Sequence, residues 1–152
     1  MSILICYDGS PSSKRALAKA AAVLDGEHAV ILHVWSPPER YLADAFSTRD
    51  SSGPSYEELT ELVRKRAQEI AEEGVKLADT LGLEAEATQA ESDSSVWRTI
   101  LDVAERQDVD LIVAGTHGET AVEPALLGSV SNALAHHSDR AVLIVPNGHP
   151  SA

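Results

Sequence analysis

The chain has 152 residues, 43% of them hydrophobic, which suits one domain around one core and is too apolar for a disordered segment. Lys plus Arg number 12 against 24 Asp plus Glu, and the resulting net charge of −12 repels phosphate backbones and argues against a nucleic-acid partner. The apolar runs fall well short of the ~20 residues of a membrane span, the N-terminus has no basic leader, and the lone Cys6 has no disulfide partner, so a cytoplasmic protein with no membrane segment is expected.

Ile3–Tyr7 is a continuous apolar run, the pattern of a strand covered on both faces. Ser10 is placed to cap a first helix, Pro11 suits its first turn, and Leu17, Ala20, Ala21 and Leu24 form its apolar stripe, with Gly26 ending it. Ala29–Val34 repeats the buried-strand pattern. Residues 36–54, rich in Ser, Pro and charge, are expected to form a long loop within the domain. A long helix follows, roughly Ser55 to Leu81, closed by Gly82. Its stripe is Leu59, Leu62, Val63, Ile70, Gly74, Leu77, Ala78 and Leu81, and Glu61–Lys65 and Glu72–Lys76 stand at i, i+4 on its outer face.

Leu83–Thr88 alternates Leu83, Ala85 and Ala87 with Glu84, Glu86 and Thr88, as an edge strand with one wet face does. A third helix starts near Asp93 and is expected to bury Val96, Ile100, Val103 and Ala104. Leu111–Ala114 is a fourth strand, a fourth helix runs from Ser129 to about His137, and Ala141–Val145 is the last strand. Strands alternating with helices in this way imply right-handed crossovers, a parallel sheet and a single three-layer α/β/α domain over residues 1–152.

In an open parallel sheet, ligands bind outside the carboxyl ends of the strands. Two segments sit there. Asp8-Gly9-Ser10 follows the first strand, and Gly115-Thr116-His117-Gly118 follows the fourth, with Gly128-Ser129-Val130-Ser131 opening the last helix. Gly115 and Gly118 would let the backbone turn with positive φ and admit a ligand closely. The helix opened by Gly128-Ser129 presents unpaired N–H groups and a positive dipole end, which suit phosphate, and Ser129 and Ser131 would add hydroxyl donors. Glycines required only for turn geometry are the alternative.

The full spacing, Gly115-x2-Gly118-x9-Gly128-Ser129, resembles the nucleotide-binding motif of the universal stress protein family, in its ATP-binding branch. So do the opening Asp8-Gly9-Ser10-x-x-Ser13-x-x-Ala16-Leu17, the Leu32-His33-Val34 end of the second strand and the closing Val142-Leu143-Ile144-Val145-Pro146. The resemblance implies a Rossmann-like sheet of order 3-2-1-4-5 with ATP, or another adenine nucleotide, across strands one and four. Asp8 and the backbone near Val34 would lie at the adenosine end. Gly115, Gly118, Gly128, Ser129, Val130 and Ser131 would line the ribose and phosphates, and His117, between the glycines, either touches the phosphates or faces solvent. Asp8 as a helix cap and Val34 as core remain structural alternatives. Glu119 and Glu123 oppose a triphosphate unless Mg²⁺ or Mn²⁺ held by the phosphates bridges the charges or Glu119 turns to solvent.

His33 is read as a satisfied core residue and His136-His137 as suited to a helix C-terminus. Cys6 is expected to be inert, Trp35 and Trp97 to pack at the sheet edge and around the long loop, and no residue set has metal-ligand spacing. The leading function is a regulatory module that binds ATP in a stress response and signals through partner or dimer contacts, with a homodimer formed through residues 141–145. The alternatives are a slow ATPase or a phosphoryl or nucleotidyl transferase, and a dimerisation module that no longer binds nucleotide. No Lys or Arg lies between Gly115 and Arg140, which argues against efficient phosphoryl transfer.

Overall fold

The computed structural model describes residues 1–25, 27–38, 53–116 and 128–147. Five strands, β1 (Ser2–Cys6), β2 (His28–Trp35), β3 (Glu84–Glu91), β4 (Leu111–Gly115) and β5 (Ala141–Val145), form one sheet in the order β3-β2-β1-β4-β5. Every neighbouring pair is parallel. Among the described residues four helices connect them: α1 (Pro11–Val23), α2 (Tyr56–Thr80), α3 (Val96–Arg106) and α4 (Ser129–His137).

The sheet separates two cores, as alternating side chains in a strand require. Ile3, Ile5, Tyr7, Ile31 and Val113 face α1 and α2, whereas Leu4, Val30, Leu32, Ile112 and Ala114 face α3 and α4. Strands apolar on both sides are thus explained by helices on both sides. β3 is the wet edge, with Glu84, Glu86 and Glu91 exposed. It runs three residues beyond the expected end at Thr88, because it pairs with the whole of β2, from His28↔Glu84 to Trp35↔Glu91. That pairing also delays α3. Ser92 N–H still donates to the Trp35 carbonyl at 2.8 Å, so the helix begins at Val96 behind Ser95 rather than near Asp93. Val96, as its first residue, is exposed and not buried as expected.

α2 departs from its expected stripe in an instructive way. Leu62 and Leu81 are 61% and 42% exposed, and the fully buried positions are Ala67, Ala71, Gly74 and Ala78. Small residues let this helix lie close on the sheet: a Cβ on Gly74 would stand 2.7 Å from Ile31 Cγ2 and 3.0 Å from Tyr7 Cδ1. The outer ion pairs form at i, i+3, Glu61 with Arg64 and Arg66 with Glu69, while Glu72 accepts from Gln68 instead of meeting Lys76. Gly82, at φ +78, ends α2 as expected. Its N–H reaches the Asp79 carbonyl and that of Leu83 reaches Ala78, a Schellman closure. Gly26 and residues 39–52 of the expected loop lie outside the described residues.

Candidate functional site

The carboxyl ends of β1, β2 and β4 meet the first turns of α1 and α4. After Cys6 the chain turns through Asp8-Gly9-Ser10. Gly9 is at φ +80 with nothing within 4 Å of where a Cβ would stand, so glycine serves the backbone there. Asp8 Oδ1 accepts the Ser10 N–H at 2.9 Å, bracing the turn. Ser10 caps α1, its hydroxyl accepting the Ser13 N–H at 3.2 Å, and Ser13 Oγ donates back to the Ser10 carbonyl at 3.0 Å. The capping role is therefore filled by Ser10, and Asp8 stands two residues upstream, partly buried, just beyond the end of β1.

Gly115 differs from expectation. It is the last residue of β4 and does not have positive φ, because the strand continues through it to pair with Val145. Its lack of a side chain serves packing: a Cβ would stand 2.3 Å from Ser12 Oγ and 2.9 Å from the Ser12 carbonyl oxygen. The first turn of α1 thus lies directly on the end of β4, and this contact joins the Asp8 turn to the fourth strand.

The next carbonyl, that of Thr116, ties β4 to α4. It accepts the Gly128 N–H at 2.6 Å and the Ser131 hydroxyl at 3.2 Å. Ser131 Oγ also lies 3.1 Å from the Gly128 carbonyl and the residue is 2% exposed, so its hydroxyl proton is committed inside the protein rather than offered outward as expected. Gly128 is the N-cap at φ −62, ψ 160, and among the described residues no side chain caps α4. The main-chain N–H groups of Ser129, Val130 and Ser131 therefore open the helix with the positive dipole end behind them. Ser129 is exposed and Val130 partly buried. His117, Gly118, Glu119 and Glu123 lie outside the described residues.

Val34 packs at the fringe of the α3/α4 core beside Leu32, so its side chain has the structural role weighed for it. His33, partly buried on the other face, donates from Nδ1 to the Tyr7 carbonyl at 2.9 Å. Neither that bond nor the part played by Thr116 carries a signal in the sequence, since both join segments far apart in the chain. Burial pushes the Cys6 thiol up to about 12, with the nearby Asp8 carboxylate adding to the rise, which leaves it protonated and unreactive. Trp35 sits at the β2–β3 edge, bonded to Gln89, as expected. Trp97 instead stacks on His137 at 4.5 Å between ring centroids, tying α3 to α4. Among the described residues no group of three or more His, Cys, Asp or Glu side chains could hold a metal ion, and no helix is long and apolar enough to cross a membrane.

The model of the Universal stress protein family matches residues 1–146. The chain belongs to that family. A universal stress protein of Thermus aquaticus, encoded in the QAH/OAS sulfhydrylase 3' region, is 33% identical over 145 residues, covering 94% of this chain and 96% of its own. The solved structure of MJ0577, a universal stress protein of Methanocaldococcus jannaschii, superposes with a TM-score of 0.76 at 26% identity, covering 98% of this chain and 97% of the other. A universal stress protein solved in complex with cAMP shares the fold at a TM-score of 0.64 and 24% identity, covering 95% and 96% of the two chains.

Proposed function

We propose that this universal stress protein binds an adenine nucleotide, with ATP the leading candidate, in the cleft between the Asp8 turn and the start of α4. The observation that carries the reading is the uncapped opening of α4, held against the end of β4 by the two bonds on the Thr116 carbonyl. Three main-chain N–H groups and a helix dipole attract phosphate without a side-chain cation, which a chain of net charge −12 requires. Asp8 Oδ2, which takes no part in the bond to Ser10, suits a nucleoside hydroxyl or amine as an acceptor. The family relative that carries cAMP supports an adenine ligand. Mg²⁺ or Mn²⁺ would come with the phosphates, since the described residues form no metal cluster of their own.

A regulatory role is the better supported one. No Lys or Arg stands between Gly115 and Arg140, and Arg140 itself is committed, donating to the Val109 carbonyl at 2.8 Å and facing Asp108 and Asp139. Phosphoryl transfer needs a cation on the γ-phosphate. Binding would then be reported through partner or dimer contacts, the dimer forming along the outer edge of β5.

Mass spectrometry of the supernatant from freshly purified, denatured protein should reveal an adenine nucleotide. Gly128→Val should weaken ATP binding at least about tenfold in calorimetry, because a branched side chain would stand over the N–H groups, at a stability cost of about 1 kcal/mol, because φ −62 and ψ 160 suit any residue but valine is a poorer N-cap than glycine. Wild-type affinity in that variant would refute the cleft, and steady phosphate release from ATP would replace the regulatory reading with an ATPase.

A further inference from the structure

The β1–β2 ladder ends one bond early, and a side chain makes up the difference. Cys6 stands opposite Leu32, and Tyr7 N–H still donates to the Leu32 carbonyl at 2.8 Å. In a parallel ladder the next bond runs from Val34 N–H to the Tyr7 carbonyl. Here that carbonyl takes His33 Nδ1–H at 2.9 Å instead. A carbonyl can only accept, so Nδ1 carries a proton whatever the state of Nε2.

Residues two apart along a strand turn their main-chain groups to the same side. The Leu32 carbonyl faces β1, so the Val34 N–H and C=O do too, beyond the point where β1 leaves the sheet into the Asp8 turn. Side chains alternate, which places the His33 ring on the α1/α2 side while Val34 packs on the α3/α4 side. We infer that His33 is a positioning residue of the ligand site: its ring holds the Tyr7 carbonyl and so keeps the Val34 main-chain N–H and C=O open as a donor–acceptor pair for the edge of a nucleobase. The same bond fixes the residue before Asp8. This inference rests on the nucleotide reading of the cleft, and His33 acts through Tyr7 and Val34 without touching the ligand.

Two variants test it. His33→Leu keeps bulk and loses the donor. His33→Asn keeps an N–H on the atom that bears Nδ1 in histidine. In ligand-free wild type, NMR should show fast hydrogen exchange at the Val34 amide. In His33→Leu the freed Tyr7 carbonyl captures that amide, so its exchange should slow, and ATP affinity should fall about tenfold, the worth of one or two main-chain hydrogen bonds. His33→Asn should resemble wild type in both readouts. A protected Val34 amide in ligand-free wild type overturns the inference, and that measurement stands even where the Leu variant does not fold. Wild-type ATP affinity in a folded His33→Leu overturns it as well. Fast Val34 exchange that slows in His33→Leu, in a protein that binds no adenine nucleotide, supports the positioning by His33 and removes the nucleotide reading alone.

Discussion

Tyr7 concentrates several demands in one side chain. It is 2% exposed, its ring lies under Gly74, and its hydroxyl donates to Glu73 Oε1 at 3.3 Å. Burial first, and then the Glu73 carboxylate, pushes the phenol from 10.0 up to about 12. A raised acid pKa means that the native state holds the proton harder than the unfolded chain does. The contribution is therefore present below pH 10 and is lost as pH rises from 10 towards 12. In a spectrophotometric titration the Tyr7 phenol should ionise late, together with alkaline unfolding, and Tyr7→Phe should abolish that late phase. At neutral pH the Phe variant should lose about 1 kcal/mol, the net worth of one hydrogen bond. The absence of a late phase would contradict the burial of this ring. The sequence marks Tyr7 as a strand end, whereas the glycine above it, 67 positions further on, is legible only as a member of a helical stripe.

Among the elements, the helix starts divide into two kinds. Ser10 and Ser55 accept from the backbone three residues on, and Glu58 completes a capping box at α2. Ser95 occupies the same position in α3, yet its hydroxyl makes no cap bond and is buried without a partner. Ser10→Ala and Ser55→Ala should each cost about 1 kcal/mol in urea unfolding. Ser95→Ala should cost nothing or stabilise slightly, since it removes an unsatisfied polar atom. A loss at Ser95 equal to that at Ser10 would show that its hydroxyl has a partner. The capping serines of α1 and α2 were legible because the bond is local. The start of α3 was not, because the preceding strand is carried on to Ser92 by its pairing with β2.

At the scale of the molecule, the sheet order leaves β3 and β5 as its two edges, and they differ in kind. β3 carries four glutamates and glutamines along eight residues, the charged and polar protection an edge needs, whereas β5 reads Ala-Val-Leu-Ile-Val. An apolar edge strand favours pairing with a second copy, which is the basis for the proposed homodimer. Two chains of net charge −12 repel each other, so added salt should tighten that dimer by screening. Sedimentation at low and high ionic strength should show a dimer that strengthens with salt. A monomer at micromolar concentration under both conditions would remove the homodimer, and weakening by salt would point to ion pairs rather than an apolar edge.

What the sequence determined by itself is the set of local decisions: which runs are strands, where α1, α2 and α4 begin, and that β1, β2, β4 and β5 are covered on both faces. These follow from periodicity and from bonds spanning three or four residues, which neighbouring amino acids settle among themselves. The family resemblance then supplied the strand order and the place of the cleft. The tertiary structure decided which atoms of the cleft are spoken for. Gly115 is bare because Ser12 lies on it, the Ser131 hydroxyl turns to Thr116, and His33 reaches the carbonyl of Tyr7. Each of these contacts joins residues 15 to 103 positions apart, brought together by the parallel sheet and its crossovers. A side chain's donor goes to whichever acceptor the packing sets within about 3 Å, and sequence spacing carries no record of that choice.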